Sequence, residues 1–471
     1  MRLIDEKPRC KYTEELQGID LPNIETSELN GTISSNSGIH VCKRRWAILC
    51  LFSLYSMHNA YQFVHMNIIS NIMIRYYNES LPDDDNVKAM YVDWLASLYM
   101  LIYPLFILPG LWLLNRYGIK MNIIFGVTLN CLASWIKCVA VQPDRFYILL
   151  IAQILNGLSN IFVTSFPPQI SAVWFGADEV SFATALGVLA NQLGIAIGLI
   201  VPPMLVPNSD NLDDINLGLG IMFYAGAAIA TLIFLLILIS IENKPELPPS
   251  YAQLAIIKGI KTVDYRHSFK ILIQQPSFIF ISISYGLITG VYFAIETLLN
   301  NIILYYYQNE VVNASRIGLV IILAGIVSSI LAGLWLDKFK TYKRTSVALY
   351  WLSTLSMVLF TFTIDQNQIW IVFITAGILG FFGTAFLPVG YEFAAELTYP
   401  EPDGISSGVL TAMANLCGLI FTLGLRIVIS DYGVLQSNIA VIVIFVIGGI
   451  VTMCIKPDYK RQTVEENRGT L

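Results

Sequence analysis

Twelve apolar segments divided by short polar connections take up nearly all of residues 46–455: 46–74, 92–114, 122–141, 145–173, 180–205, 217–241, 277–307, 316–336, 346–365, 369–397, 406–430 and 437–455. Each reaches the roughly 20 residues that a helix needs to cross the hydrocarbon core of a bilayer. In lipid every backbone amide must find its partner inside the protein, which leaves helices and closed barrels. These segments are too long and too continuous for barrel strands, whose residues alternate. Composition agrees: the 471 residues are 55% hydrophobic and 13% charged, with a mean hydropathy of +0.64, too little polar surface for a soluble chain of this size. The expected fold is an all-α polytopic membrane protein.

The chain also echoes itself. FATALGVLANQLG at 182–194 is answered by SSGVLTAMANLCG at 406–418, so that Asn191 and Asn415 each open an Asn-x-x-Gly, 224 residues apart. Prolines within apolar runs precede both copies, Pro167 and Pro168 in the first and Pro388 in the second. GLWLLNRYGIK at 110–120 is answered by GLWLDKFKTYK at 333–343, with Asn115 and Asp337 separated by 222 residues. Two echoes at nearly one offset mean a duplicated half. The expectation is two pseudo-symmetric six-helix bundles, 43–241 and 277–456, joined by a polar connector at 242–276 and rocking about a midplane site.

Charge sets the orientation. Lys43, Arg44 and Arg45, the 116–120 loop, the connector, the 338–344 loop and the segment after 456 fall on one side and hold most of the Lys and Arg, so that side is expected to be cytoplasmic. The opposite loops carry the acidic runs and the sequons at Asn78 and Asn313, which are expected to be glycosylated. A third sequon, at Asn30, falls in the tail 1–42, expected to be disordered and cytoplasmic, as is the tail 457–471. No apolar leader follows Met1, and none of the seven cysteines sits clearly in an outside loop, so neither a cleaved signal nor a structural disulfide is expected.

The segment Asn115-Arg-Tyr-Gly-Ile-Lys120 resembles the acidic–basic loop of the major facilitator superfamily, and Asp337-Lys338 resembles its second copy. Asn115, Arg116, Asp337 and Lys338 are thereby candidates for a latch, in which helix-end side chains cap a neighbour and pair across the bundles. Asn115 replaces the usual acid, and Lys340 stands where a glycine belongs. Longer stretches are similar to the feline leukaemia virus subgroup C receptor-related transporters: RRWAILCLFSLYSMHNAYQF (44–63), DWLASLYMLIYPL (93–105), LNCLASWIKC (129–138), SAVWFGADEVS (171–181), NQLGIAIGLIVPPMLVPN (191–208), KPELPPSYAQ (244–253), RIGLVIILAGI (316–326) and YEFAAELTYPEPDGISSG (391–408). The resemblance spans about 44 to 460 and implies a facilitator linked to choline and ethanolamine, and historically to haem.

In a two-bundle transporter the pocket is lined by the first, fourth, fifth, seventh, tenth and eleventh spans. Polar and aromatic residues midway along these are Gln62, Phe63 and Asn67, then Gln192, then Tyr292, Phe293 and Glu296, then Asn415, with Tyr99 and Met100 of the second span able to reach the wall. A quaternary ammonium has no N–H, so only shape, ring faces and ion pairing can hold it. The resemblance places Phe63 and Phe293 at the family's aromatic pair, a Trp and a Tyr, and Gln192 and Asn415 at its two glutamines. Phe is a weaker cation binder than Trp or Tyr. Glu296, three residues after Phe293, is a costly carboxylate at that depth; it faces a substrate cation or a proton, or it bonds a neighbouring helix through Arg426 or Lys137. His58 and His65 share a face of the first span, but no Cys, Met or His cluster joins them, which favours packing over haem ligation. Glu392 and Glu396 are read as interface latches, and Gly194, Gly198, Gly290 and Gly418 as sites of close helix contact.

No Walker, zincin or nucleophile-elbow motif is present, so the chain is not expected to be an enzyme and no cofactor or metal is expected. The reading is a monomeric plasma-membrane protein with both termini inside, no nucleic-acid partner, and a small organic cation, choline or ethanolamine, as facilitated cargo. A haem exporter of the same fold and a non-transporting receptor are the alternatives.

Overall fold

The computed structural model describes residues 43–459 apart from 165, 177–178, 243–244, 246–264, 309, 367, 400, 402 and 458. The tail 1–42, most of the connector and residues 460–471 lie outside the described residues. The helices are α1 (Arg44–Val64), α2 (Ser70–Tyr76), α3 (Asp85–Leu113), α4 (Arg116–Val139), α5 (Phe146–Thr164), α6 (Pro167–Trp174), α7 (Val180–Leu205), α8 (Leu212–Ser240), α9 (Tyr265–Gln274), α10 (Pro276–Tyr306), α11 (Val311–Phe339), α12 (Tyr342–Thr363), α13 (Ile369–Thr398), α14 (Asp403–Tyr432) and α15 (Val434–Cys454). Among the described residues, eleven helices are long and apolar enough to cross a membrane. The twelfth span is α1 with α2, which falls short because it carries His58, Asn59, Gln62, His65 and Asn67. All five are buried in protein rather than turned to lipid.

Two spans are broken, each for a local reason. The first ends its α-helix at Val64 and passes through a 3₁₀ turn, Asn67–Ile69, before α2. The Gln62 carbonyl, left over at that helix end, accepts from His65 Nδ1 at 3.1 Å and Gln153 Nε2 at 3.0 Å. Asn67 Nδ2 donates to the Val92 carbonyl at 3.3 Å. Side chains thus replace the missing helical donors where no water is available. The fourth span breaks before Pro167, which opens α6 because proline has no N–H to give the preceding turn. The connector is not all loop: α9 lies within it and buries Leu272.

The duplication is visible in the packing. α7 crosses α1 at Gly194, where an added Cβ would overlap the Met57 carbonyl, and at Gly198, where an added Cβ would come to 2.9 Å from the Tyr61 carbonyl. α14 crosses α10 in the same manner: a Cβ added at Gly290 would come to 2.7 Å from Gly418 N, and one added at Gly418 would press on Phe293. Helix pairs without a hydrophobic drive between them rely on such close approach. Among the described residues, the two with positive φ besides Gly433 are Gly118 (74°) and Lys340 (50°), 222 positions apart like Asn115 and Asp337. The expected glycine position of the second loop therefore keeps a left-handed backbone despite bearing a lysine.

Candidate functional site

Phe63, in the last turn of α1, stacks on Tyr99 of α3 with ring centroids 4.8 Å apart and meets Phe293 of α10 edge-on at 6.0 Å. Phe63 and Tyr99 are 4% and 6% exposed, and Phe293 is half-buried. The Tyr99 hydroxyl donates to Asn59 Oδ1 at 2.9 Å, which fixes the ring. Gly418 of α14 closes the cluster: a Cβ built on it would sit 3.0 Å from Met100 Sδ and 3.2 Å from Phe293. Four of the expected lining residues, Phe63, Tyr99, Met100 and Phe293, are therefore brought together, three from the first half and one from the second. Ring faces and a thioether suit the charge of an organic cation without demanding hydrogen bonds from it.

Glu296 lies one turn beyond Phe293, is 7% exposed, and its Oε2 has no hydrogen-bond partner among the described residues. Asn300, a further turn along, donates through Nδ2 to Ser70 Oγ and Asn71 Oδ1, both at 3.0 Å, tying α10 to α2. The helix partners expected for Glu296 are engaged elsewhere. Arg426 forms a buried two-pronged pair with Asp93 of α3. Lys137 Nζ donates to Gln62 Oε1 at 2.7 Å.

Gln62 and Tyr292 turn away from the ring cluster. Gln62 Nε2 donates to Asn130 Oδ1 at 2.9 Å and Ser134 Oγ at 3.0 Å, inside the first half. The Tyr292 hydroxyl donates to the Leu379 carbonyl at 2.5 Å, and its ring stacks on Phe445, inside the second half. Each lies next to a ring-cluster residue in sequence, and successive helical residues point about 100° apart. Gln192 is half-buried on α7. Asn415 is buried and its Nδ2 donates to the Thr411 carbonyl of its own helix at 2.8 Å.

His58 is part of the same polar network as Gln62. Its Nδ1 lies 2.9 Å from Asn130 Nδ2 and its Nε2 lies 3.1 Å from the Gly226 carbonyl, an arrangement met by the neutral ring with hydrogen on Nε2. Both nitrogens are used in packing.

At the loop ends, Arg116 is exposed and its guanidinium lies over Trp112 at 5.4 Å and Tyr117 at 5.7 Å; Lys338 lies over Phe339 at 5.4 Å. The side chains of Asn115 and Asp337 lie outside the described residues. Ion pairs at this end include Arg44 with Glu242 at 2.6 Å and Arg45 with Glu179 at 2.7 Å. Glu392 and Glu396 both have partners, and Glu396 is buried. Asn78 is exposed in a 3₁₀ turn, whereas Asn313 is half-buried in the first turn of α11 and bonded to Glu310 and Arg316.

Sequence reasoning did not anticipate Asp93. The signal was present, since an acid well inside an apolar span needs a partner and Arg426 is likewise an intramembrane charge, but pairing across 333 positions has no local signature.

The Major Facilitator Superfamily profile matches residues 51–422 and 291–470. The choline/ethanolamine transporter flvcr2a of Danio rerio is 44% identical over 444 residues, 94% of this chain and 93% of that one. The human choline/ethanolamine transporter FLVCR2 is 41% identical over 436 residues, 92% of this chain and 81% of that one. Among solved structures, the partially occluded inward-open xylose transporter XylE from E. coli superposes with a TM-score of 0.72 at 12% identity, covering 89% of this chain and 99% of that one.

Proposed function

The chain belongs to the major facilitator superfamily and, within it, to the feline leukaemia virus subgroup C receptor-related branch, and on that footing we propose that it carries choline or ethanolamine by alternating access. Like the rest of that branch it is a multi-pass membrane transporter and not an enzyme. The observation that carries the substrate reading is the meeting of Phe63 and Phe293 from opposite halves, 6.0 Å apart, with Tyr99 stacked behind. A cation placed between rings on two halves draws both toward it, so binding itself favours closure.

The 43–241 and 277–456 halves rock as units about this cluster. The end bearing Arg44, Arg116 and Lys338 faces the cytoplasm, by the excess of Lys and Arg in its short loops. The protein acts as a facilitative monomer in the plasma membrane. Haem is the weaker reading: its propionates need basic partners, and the intramembrane cations Lys137 and Arg426 are already engaged by Gln62 and Asp93. The test is uptake of labelled choline and ethanolamine into cells with and without the chain, with haem efflux measured in parallel. Chain-dependent uptake of either amine supports the proposal; haem efflux with no amine uptake overturns it.

A further inference from the structure

Three buried carboxylate and amide oxygens on or against α10 lack a donor among the described residues: Glu296 Oε2, Asn300 Oδ1, and Asn67 Oδ1 on the 3₁₀ turn that packs against α10. Asn300 and Asn67 are fully buried, and Glu296 is 7% exposed. Phe293, Glu296 and Asn300 share one face of α10 by their spacing of three and four residues. That face is turned to the first half, because Phe293 meets Phe63 and Asn300 bonds Ser70. A fold rarely leaves buried acceptors without donors, since each forfeits its hydration on burial.

The ring cluster alone does not discriminate among ammonium ions, because a ring face responds to charge and not to N–H bonds. The acceptor row beside it does discriminate. A fully methylated ammonium has nothing to donate, and its methyl groups would hold Glu296 away from the charge. A protonated primary amine has three N–H bonds and can reach a carboxylate and amide oxygens while its charge remains against the rings. We propose that this site is selective for ammonium ions that carry N–H bonds, with Glu296 as the residue that sets the selectivity and Asn300 and Asn67 as further acceptors. This rests on the organic-cation reading above and narrows it toward the ethanolamine end of the substrate pair.

The experiment is competition of labelled ethanolamine uptake by ethanolamine and its N-methyl, N,N-dimethyl and N,N,N-trimethyl derivatives, which carry three, two, one and no N–H bonds. The intact protein is expected to lose apparent affinity stepwise, by about tenfold or more from first to last, as expected for a charge-assisted hydrogen bond. Glu296→Gln, at matched surface expression, is expected to lose about tenfold for ethanolamine while choline changes by less than about threefold, flattening the series. A flat series in the unaltered protein overturns the inference and leaves the cation-transport reading standing, and needs no variant to fold. Preference for choline also overturns it. Uptake of no member of the series overturns both. Should Glu296→Gln fail to reach the surface, Glu296→Asp, which keeps the charge but shortens the reach, is expected to retain the preference in weakened form; a preference unchanged from the unaltered protein overturns the assignment of selectivity to Glu296.

Discussion

Arg426 of α14 grips Asp93 of α3 with two donors, Nη2 reaching Oδ1 at 2.8 Å and Nε reaching the other oxygen. The pair joins the two halves near the end that carries the acidic loops, and both members are buried. Removing one partner strands a charge where neither water nor another ion can replace it, at a cost of about 3–5 kcal/mol. Asp93→Asn and Arg426→Gln are each expected to lower the thermal stability of the purified protein strongly. The double variant, with no net buried charge, is expected to recover much of the loss. Strictly additive effects would mean that the two residues do not depend on each other. Because the pair spans the halves, each single variant is also expected to slow uptake more than its stability predicts.

In the proposed function Phe63 and Phe293, whose rings meet at 6.0 Å, supply the cation's ring surfaces, and Phe is the weakest of the three aromatic cation binders. Phe63→Trp is therefore expected to raise apparent affinity for a quaternary ammonium, by about two- to fivefold for the roughly 0.5–1 kcal/mol involved. Phe63→Leu keeps the burial and removes the ring face, and is expected to weaken affinity for every ammonium alike. The comparison is read from uptake KM at equal surface expression. A gain confined to ethanolamine would point away from a ring-face contact.

Gly194 and Gly418 hold the last position of the two echoed segments, and their surroundings differ in rigidity. A Cβ at Gly194 would overlap the backbone of Met57, which cannot move without shifting α1. A Cβ at Gly418 meets the side chains of Met100 and Phe293 at 3.0 and 3.2 Å, and a thioether can swing aside. Gly194→Ala is expected to lose about 1–3 kcal/mol of stability, the usual range for overpacking. Gly418→Ala is expected to lose less but to alter uptake KM, because it presses on the ring cluster. Equal losses of stability with unchanged KM would show that neither glycine is distinguished by its neighbour.

Much of this was legible in the chain beforehand, and the reason is physical. Lipid permits few architectures, so apolar length gave twelve spans directly, and the echo at 182–194 and 406–418 pointed to crossings that the packing realises. The first span was read by length like the rest, and its buried His58, Asn59 and Gln62 are why it is the least hydropathic of them. Mid-span aromatics located Phe63 and Phe293, but adjacency in sequence suggested Gln62 and Tyr292 equally well. Which of two neighbours faces the partner half depends on helix rotation, and that is set by packing: Gln62 goes to Asn130 and Tyr292 to Leu379. The Asp93–Arg426 pair was hidden for a related reason, because partners 333 positions apart meet only once the halves are docked.

The two sequons at the acidic-loop end are not equivalent. Asn78 lies exposed in a 3₁₀ turn, Asn78–Ser80, where the backbone can fit an enzyme's binding cleft. Asn313 lies in the first turn of α11; its amide donates to Glu310 Oε2 at 2.7 Å, its oxygen accepts from Arg316 at 3.2 Å, and the Ser315 hydroxyl is buried against the Val311 carbonyl. Presenting Asn313 as an acceptor would require unwinding that turn and uncovering Ser315, which its packing opposes. Asn78→Gln is expected to abolish the glycosidase-sensitive mobility shift of the expressed protein, and Asn313→Gln to leave it intact. A shift that survives Asn78→Gln and disappears with Asn313→Gln would mean that α11 begins later in the membrane-inserted chain. No shift in either protein would count against placing the acidic end outside the cell, since the modification occurs only on the lumenal side of the secretory pathway.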